Sequence, residues 1–416
     1  MVKKRLGIGM IGAGFVANFH IRSFIGVRDA DIIGVVSKDD DMSRNTADVI
    51  KKIGVGEPNI YNSVTEMVAD PAIDALWICA PNFARIEVME EIVDAIESGK
   101  GELIGVACEK PLGRNVQEAK KMLELAQRAN LLDGYLENQC FSPAITRGKD
   151  IVWSRGAKLT GRPYLARAAE EHGGPHMPWF WEGKLQGGGV INDMMCHSVE
   201  AARFLLTPPG ADRTVLKLKK VNAYANCLKW QNPKYAQQLA DNSGGKLDYI
   251  NRPAEDFGRS LVEYEDENGQ QLVVETTTSW SYVGAGLRLS MELLGPEYSM
   301  SIDTLTTGLK VFFSRHVTGD TGEDLVEKQN AEVGLMPVVN NEEAEYGYEA
   351  ENRHMVQSFL SGKRPEENFH DGVNVTELLM TGYLSAEEER TIAFPPPNLD
   401  TFIPAVAKGE WNPKNK

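Results

Sequence analysis

From Leu6 to Ile11 the chain is apolar without interruption, breaks at Gly12-Ala13-Gly14, and resumes from Phe15 to Ile25 with apolar residues at helical spacing. That is the pattern of a strand, a tight turn and a helix. Asp31 to Val36 is a second apolar run that stops at Ser37. Strand, helix and strand thus fit within about 30 residues, as a parallel crossover requires. The alternation continues with helical spacing from Arg44 to Ile53, which leads to Tyr61, and a helix near Val64 to Ala69. A strand at Ala75 to Ala80, a helix from Ile86 to Ser98, a strand around Leu103 to Cys108 and a helix from Gln117 to Asn130 follow. Repeated units of this kind predict an α/β domain over residues 1–145, a doubly wound parallel sheet with helices on both faces.

Beyond residue 145 the texture changes. Residues 217–228, 260–265, 271–280, 286–294 and 309–313 are rich in Val, Leu, Thr and Tyr and are separated by turn signals such as Glu267-Asn268-Gly269. This predicts a large, mostly antiparallel sheet. Helical patterns at Asp193 to Leu206, Tyr346 to Ser361 and Asp371 to Arg390 make residues 146–416 an α+β domain. The polar stretch from Gln231 to Arg252 is expected to be a surface insertion, and Pro395 to Pro397 to start an extended tail.

With 416 residues, 42% hydrophobic and 25% charged, the chain has the composition of a folded globular protein of two or three domains. Forty-four basic against fifty-nine acidic residues leave a net charge of −15. That balance repels phosphate backbones and anionic lipid, so neither a nucleic-acid nor a membrane-surface partner is expected. The five cysteines are widely spaced and form no C-x-x-C pair, which fits reduced thiols in a cytoplasm. Lys3, Lys4 and Arg5 precede an uncharged run to Asn18 that is similar to the start of a signal peptide, but strand, turn and helix account for that run.

Gly12-Ala13-Gly14-Phe15-Val16-Ala17 fits G-x-G-x-x-A between strand and helix. The first glycine permits the turn, the second lets a pyrophosphate approach, and the small third residue packs the helix against the sheet. The amides around Phe15 and Val16 would then hold phosphate, which explains how so acidic a chain binds a dinucleotide. The second strand ends in Ser37-Lys38, followed by Asp39, Asp40 and Asp41. A hydroxyl with a cation accommodates the extra phosphate of NADP, and a carboxylate displaced by two positions holds the ribose diol of NAD, so both cofactors stay open. A solvated loop accounts for at least two of the aspartates.

Cys108-Glu109-Lys110-Pro111-Leu112 closes a strand, where ligands of open α/β sheets collect. Glu109-Lys110-Pro111 after such a domain resembles the Gfo/Idh/MocA family of glucose-fructose oxidoreductase and inositol dehydrogenases. Ala80-Pro81-Asn82 is similar to the family's turn beside the nicotinamide ribose, Asn138 to Pro143 to its N-x-R-F-x-P stretch, and Gly187 to His197 to G-G-G-x-L-x-D-x-G-x-H. The resemblance implies cofactor contacts from Ala80, Pro81, Asn82, Glu109, Lys110 and Asn138. It implies His197 as proton acceptor, Lys110 hydrogen-bonded to the reacting hydroxyl, and Asp193 orienting substrate and histidine. Asp193 and His197, four apart, share a helix face. Lys110 is an alternative base, since a nearby cation lowers an amine's proton affinity. Arg85 stands where the family often has His, Met195 where it has Gly and Gln139 where it has Arg, while residues 101–105 are extra.

Glu170-Glu171-His172 through His176 to Trp179-Phe180-Trp181 precedes the helix motif. Trp179 and Trp181 would stack on sugar rings, with His172, His176 and Asn192 bonding hydroxyls, or the tryptophans would pack a domain or subunit contact. No further ligand pattern accompanies the histidines, so no metal is expected. A carbohydrate substrate, NAD or NADP, and a homo-oligomer, dimer or tetramer, covering the open sheet are the expected partners. Two chemistries fit: net hydride exchange with a secondary alcohol of a sugar, polyol or glycoside, or a redox-neutral reaction with retained NAD and a transient 3-keto glycoside.

Overall fold

The computed structural model describes residues 5–314, 327 and 334–413. By compactness the chain forms two units, Met1–Pro143 with Glu343–Thr376, and Ala144–Glu342 with Glu377–Lys416. Residues 343–376, which the sequence pattern assigns to the second domain, therefore belong to the first.

The first unit is built on six parallel strands: β1 (Leu6–Ile11), β2 (Ala30–Val36), β3 (Asn59–Ile60), β4 (Ala75–Ile78), β5 (Gly105–Glu109) and β6 (Leu132–Leu136). Their order is β3-β2-β1-β4-β5-β6, with Ile11 aligned to Val36 on one side and Ile78 on the other. Every residue of β1 is buried, as parallel strands covered on both faces require. The order reverses between β1 and β4, so the loops after these strands flank the crevice where ligands of such sheets bind.

One helix begins earlier than its apolar spacing predicts, at Asp40 rather than Arg44, because Asp39 caps it by accepting from the Met42 amide. Acidic residues suit a helix start, so the three aspartates belong to the helix and not to a free loop.

The helix Tyr348–Leu360 completes this unit's core. Phe359, 1% exposed, meets Trp77 edge to face at 5.8 Å, and Met355 lies where a side chain at Gly134 would stand. Gly347, at φ 98°, starts the helix, and a Cβ there would lie 2.1 Å from the Asn138 carbonyl oxygen.

The second unit holds a seven-stranded sheet of β7 (Leu165–Glu171), β8 (Lys217–Asn226), β9 (Phe257–Glu265), β10 (Gln271–Ser279), β11 (Arg288–Leu294), β12 (Ser299–Asp303) and the short β15 (Ile392–Ala393). Its order is β12-β11-β7-β10-β9-β8-β15, antiparallel except between β7 and β10. A separate hairpin pairs β13 (Leu309–Phe313) with β14 (Gly334–Val338). β7 is absent from the sequence pattern because Ala and Glu, which favour helices, fill it; only its alternation of burial marks a strand. The expected surface insertion also differs. Pro233–Asn242 is a helix, and Trp230, Leu247 and Tyr249 around it are buried. No helix among the described residues is long and apolar enough to cross a membrane, and all five cysteines are free thiols.

Truncating Phe359 to Ala should destabilise the first unit by about 3–5 kcal/mol, because it opens a cavity against Trp77. Leu159→Ala, at a side chain that is 82% exposed, should cost under about 0.5 kcal/mol. Urea unfolding of both variants measures the difference.

Candidate active site

In the first unit, Gly12 has φ 104°, and a Cβ there would lie 2.8 Å from the carbonyl oxygen of Cys79. The turn after β1 thus presses directly on the loop after β4, which only glycine permits. Gly14 differs. Its backbone is extended and a Cβ would meet nothing within 4 Å, so the space before the helix Phe15–Ser23 is open. No side chain caps that helix, while Ala17 is fully buried against the sheet. An uncapped helix start facing open space is what an anionic phosphate needs, and a dinucleotide fits Gly12, Gly14, Phe15 and Val16.

At the end of β2 the side chains are already committed. The Asp39 amide donates to the Ser37 hydroxyl at 3.2 Å, the Asp39 carboxylate caps its helix, and Asp41 pairs with Arg44 at 2.6 Å. Lys38 is exposed.

Glu109 ends β5 and is 4% exposed. One carboxylate oxygen lies 2.7 Å from His20 Nε2, and the other accepts from the Lys110 amide at 3.0 Å. Burial alone would push this carboxyl up, but the hydrogen bond and charge of His20, with Lys110 and Arg85, hold it below its ordinary range. On the opposite side of His20 stand the Glu351 carboxylate, 3.9 Å from Nδ1, and Asn352 at 3.2 Å. Glu351 is raised well above its ordinary value by burial and by the negative charge of Glu109. Arg85 binds the carbonyls of Ala80 and Glu109 at 2.9 and 2.6 Å. Asn82 is buried in a short turn after Pro81. Asn138 donates its amide to the Tyr346 carbonyl at 2.7 Å, so that hydrogen bond serves the return of the chain. No sequence motif marks His20, Glu351 or Asn352, and the first lies far from the other two in the chain.

In the second unit, Gly187 to Gly189 lead into a π-helical turn, Ile191–Met195, that continues as the helix Cys196–Leu206. Such turns, with i to i+5 hydrogen bonds, recur at functional sites. Asp193 and His197 sit on this turn and the following one, each 5% exposed. The Trp280 indole donates to the Asp193 carboxylate at 3.2 Å. The preceding glycines are dictated by contact: a Cβ on Gly188 would lie 1.9 Å from the Tyr383 hydroxyl, and one on Gly189 2.4 Å from the Glu255 carbonyl oxygen. Tyr383 donates to the Glu255 carboxylate, which also accepts from the amides of Gly189 and Ile191 at 2.8 and 3.1 Å. Burial pushes Glu255 up to about 7 despite these donors.

The aromatic loop divides. Trp181 is 3% exposed, its ring set against Trp230, Tyr249 and Trp280 at 4.9–5.5 Å, with its indole donating to the Pro175 carbonyl. Packing, not sugar stacking, therefore accounts for Trp181. Trp179 is half-buried and stacked on Phe180 at 3.8 Å, and His176 is exposed. His172 is buried and accepts from the Gly174 amide at 2.9 Å. Asn192 is buried, with its side chain donating to the Gln186 carbonyl and its amide to Tyr383. These hydrogen bonds tie His172 and Asn192 into the local backbone.

Two family models match this chain: the oxidoreductase family, NAD-binding Rossmann fold, GFO_IDH_MocA, over residues 6–133, and the GFO/IDH/MocA C-terminal domain over residues 157–300. Among characterised relatives, 1,5-anhydro-D-fructose reductase of Ensifer adhaerens is 28% identical over 50% of this chain and 59% of its own length. Myo-inositol 2-dehydrogenase of Thermotoga maritima is 25% identical over 76% of this chain and 92% of its own. Among solved structures, levoglucosan dehydrogenase in complex with NADH and levoglucosan superposes with a TM-score of 0.69 at 20% identity, covering 94% of this chain and 100% of that one. At that identity the likeness concerns the fold.

Because the folded state holds the Glu255 proton up to about pH 7, while the unfolded chain releases it near the ordinary carboxylate value, stability should fall as pH rises through this window. Glu255→Gln should flatten that decline. Thermal unfolding at about pH 5 and about pH 8 tests it, and an equal slope in both proteins would count against it.

Proposed function

As the chain belongs to the GFO/IDH/MocA oxidoreductase family, with an NAD-binding Rossmann domain, we propose that it transfers hydride between a secondary alcohol of a sugar, polyol or glycoside and nicotinamide. The observation that carries the reading is the construction around Lys110. A buried carboxylate holds its amide at 3.0 Å, at the carboxyl end of a strand in the same sheet as the phosphate turn. When bound, the nicotinamide supplies the hydride acceptor or donor. Gly12, Gly14, Phe15 and Val16 would hold its pyrophosphate, and the Ala80-Pro81-Asn82 turn would lie by its ribose.

In the proposed reaction His197 takes the hydroxyl proton, and Lys110 hydrogen-bonds the reacting oxygen and steadies the developing charge. Asp193, restrained by Trp280, orients the substrate. The relatives' names, an anhydro-sugar reductase and an inositol dehydrogenase, support a polyhydroxylated substrate. Trp179 and His176, on the accessible part of the aromatic loop, are proposed to meet it. A homo-oligomer across the open sheet face, where Tyr224 and Leu261 are exposed, belongs to the same reading.

Nucleotide released from purified, denatured protein, identified by absorbance and mass against NAD and NADP, tests the cofactor. Stoichiometric NAD or NADH would select the redox-neutral, retained-cofactor reaction; an empty protein that reduces added NAD with sugars would select net oxidation. Lys110→Ala should lower turnover by about 10²–10⁴-fold while nucleotide binding persists. Unchanged turnover would remove Lys110 from the reaction.

A further inference from the structure

A guanidinium offers five N–H donors in a rigid plane and does not lose its charge at physiological pH. Arg85 opens the helix Arg85–Glu97, is 4% exposed, and directs that plane at backbone carbonyls. Nε donates to Ala80 at 2.9 Å, one terminal nitrogen to Glu109 at 2.6 Å and to Pro111, and the other to Lys110 at 3.1 Å. Four carbonyls are thus gathered by one side chain, from the turn after β4 and the turn after β5. Burying a cation is costly, so a site that keeps one among carbonyl dipoles is bought for a purpose. Pro111 has no N–H, and the segment cannot be fixed there by a strand ladder. With Glu109 holding the Lys110 amide at 3.0 Å, the peptide units on both sides of Lys110 are restrained.

We propose that Arg85 is a positioning residue that fixes the Lys110 backbone and locks it to the Ala80-Pro81-Asn82 turn, so that lysine and nicotinamide ribose keep one register. The proposal rests on the reading of Lys110 as the residue that binds the reacting hydroxyl. Arg85 itself touches neither substrate nor cofactor in this scheme. A lysine at this position supplies a point charge that cannot span four carbonyls, and a methionine supplies length without donors.

The test compares wild type with Arg85→Lys, Arg85→Met and Arg85→Ala in two measurements. The first needs no turnover: acylation of Lys110 by an amine reagent, followed by peptide mass spectrometry, with exposed Lys51 as reference. Release of the segment should make Lys110 react severalfold faster in the variants while Lys51 is unchanged. The second is hydride transfer from a sugar and polyol panel to NAD. Turnover should fall by about 10²-fold with little change in sugar KM, because misplacement by about 1 Å acts on the reacting geometry and not on ground-state binding. Added guanidinium should restore part of it in Arg85→Ala. Labelling and turnover like wild type in a folded variant would overturn the proposal. If Arg85→Met fails to fold, Arg85→Lys carries both measurements. A wild type inactive on every sugar, with Lys110 labelling still governed by residue 85, would sink the assigned reaction and leave the restraint standing.

Discussion

The Glu109 carboxylate is buried inside the first unit, and the geometry of the strand ends depends on how its charge is held. It lies between the His20 ring, on the helix that follows the Gly12-Ala13-Gly14 turn, and the Lys110 amide at 3.0 Å. A buried charge that loses one partner costs about 3–5 kcal/mol, so neither contact can be surrendered lightly. Glu351 approaches the same histidine from the other side, 3.9 Å from Nδ1, and burial first and the Glu109 charge second both disfavour its ionised form. Burial and the neighbouring negative charge keep the proton on Glu351, while His20, Lys110 and Arg85 keep the charge on Glu109. The helix and the strand end are therefore coupled through the hydrogen bonds of one buried carboxylate and not only through apolar contact.

The second unit solves a similar problem with different parts. There the start of the π turn is gripped by a Tyr383 hydroxyl and a Glu255 carboxylate, both buried, and the two glycines at 188 and 189 exist because these groups fill the space a side chain would take. The glycines that look alike in sequence thus do different work. Gly12 answers to a backbone pressed against it, Gly14 faces open space, Gly188 answers to the Tyr383 hydroxyl, and Gly189 to both the backbone carbonyl and the carboxylate of Glu255.

Local pattern made much of the fold legible. β1 was readable to the residue, since a continuous apolar run ending at a glycine turn admits few alternatives. β7 was not, because its Ala and Glu residues carry a helical preference that sheet pairing on both sides overrides. The aspartates after β2 look like a solvated loop in sequence because capping depends on which residue enters the helix first. Lys110, Asp193 and His197 stood out only through an ordered set of motifs. Their supports did not: His20 reaches Glu109 across 89 positions and Trp280 reaches Asp193 across 87, separations that no periodicity records. Arg85 was visible as a departure from the usual residue, yet its purpose lies in carbonyls, which have no sequence signature.

The helix Tyr348–Leu360 has a temporal consequence. Its Met355 and Phe359 fill the first unit from late in the chain, after six of the seven strands of the second unit's sheet have been made. The 233 residues from Ala144 to Thr376 must leave the ribosome before the first unit can close. At about 5–20 residues per second that is a delay of roughly 12–47 s. For that interval the nascent chain carries an unfinished apolar face beside Trp77, a natural point of call for chaperones.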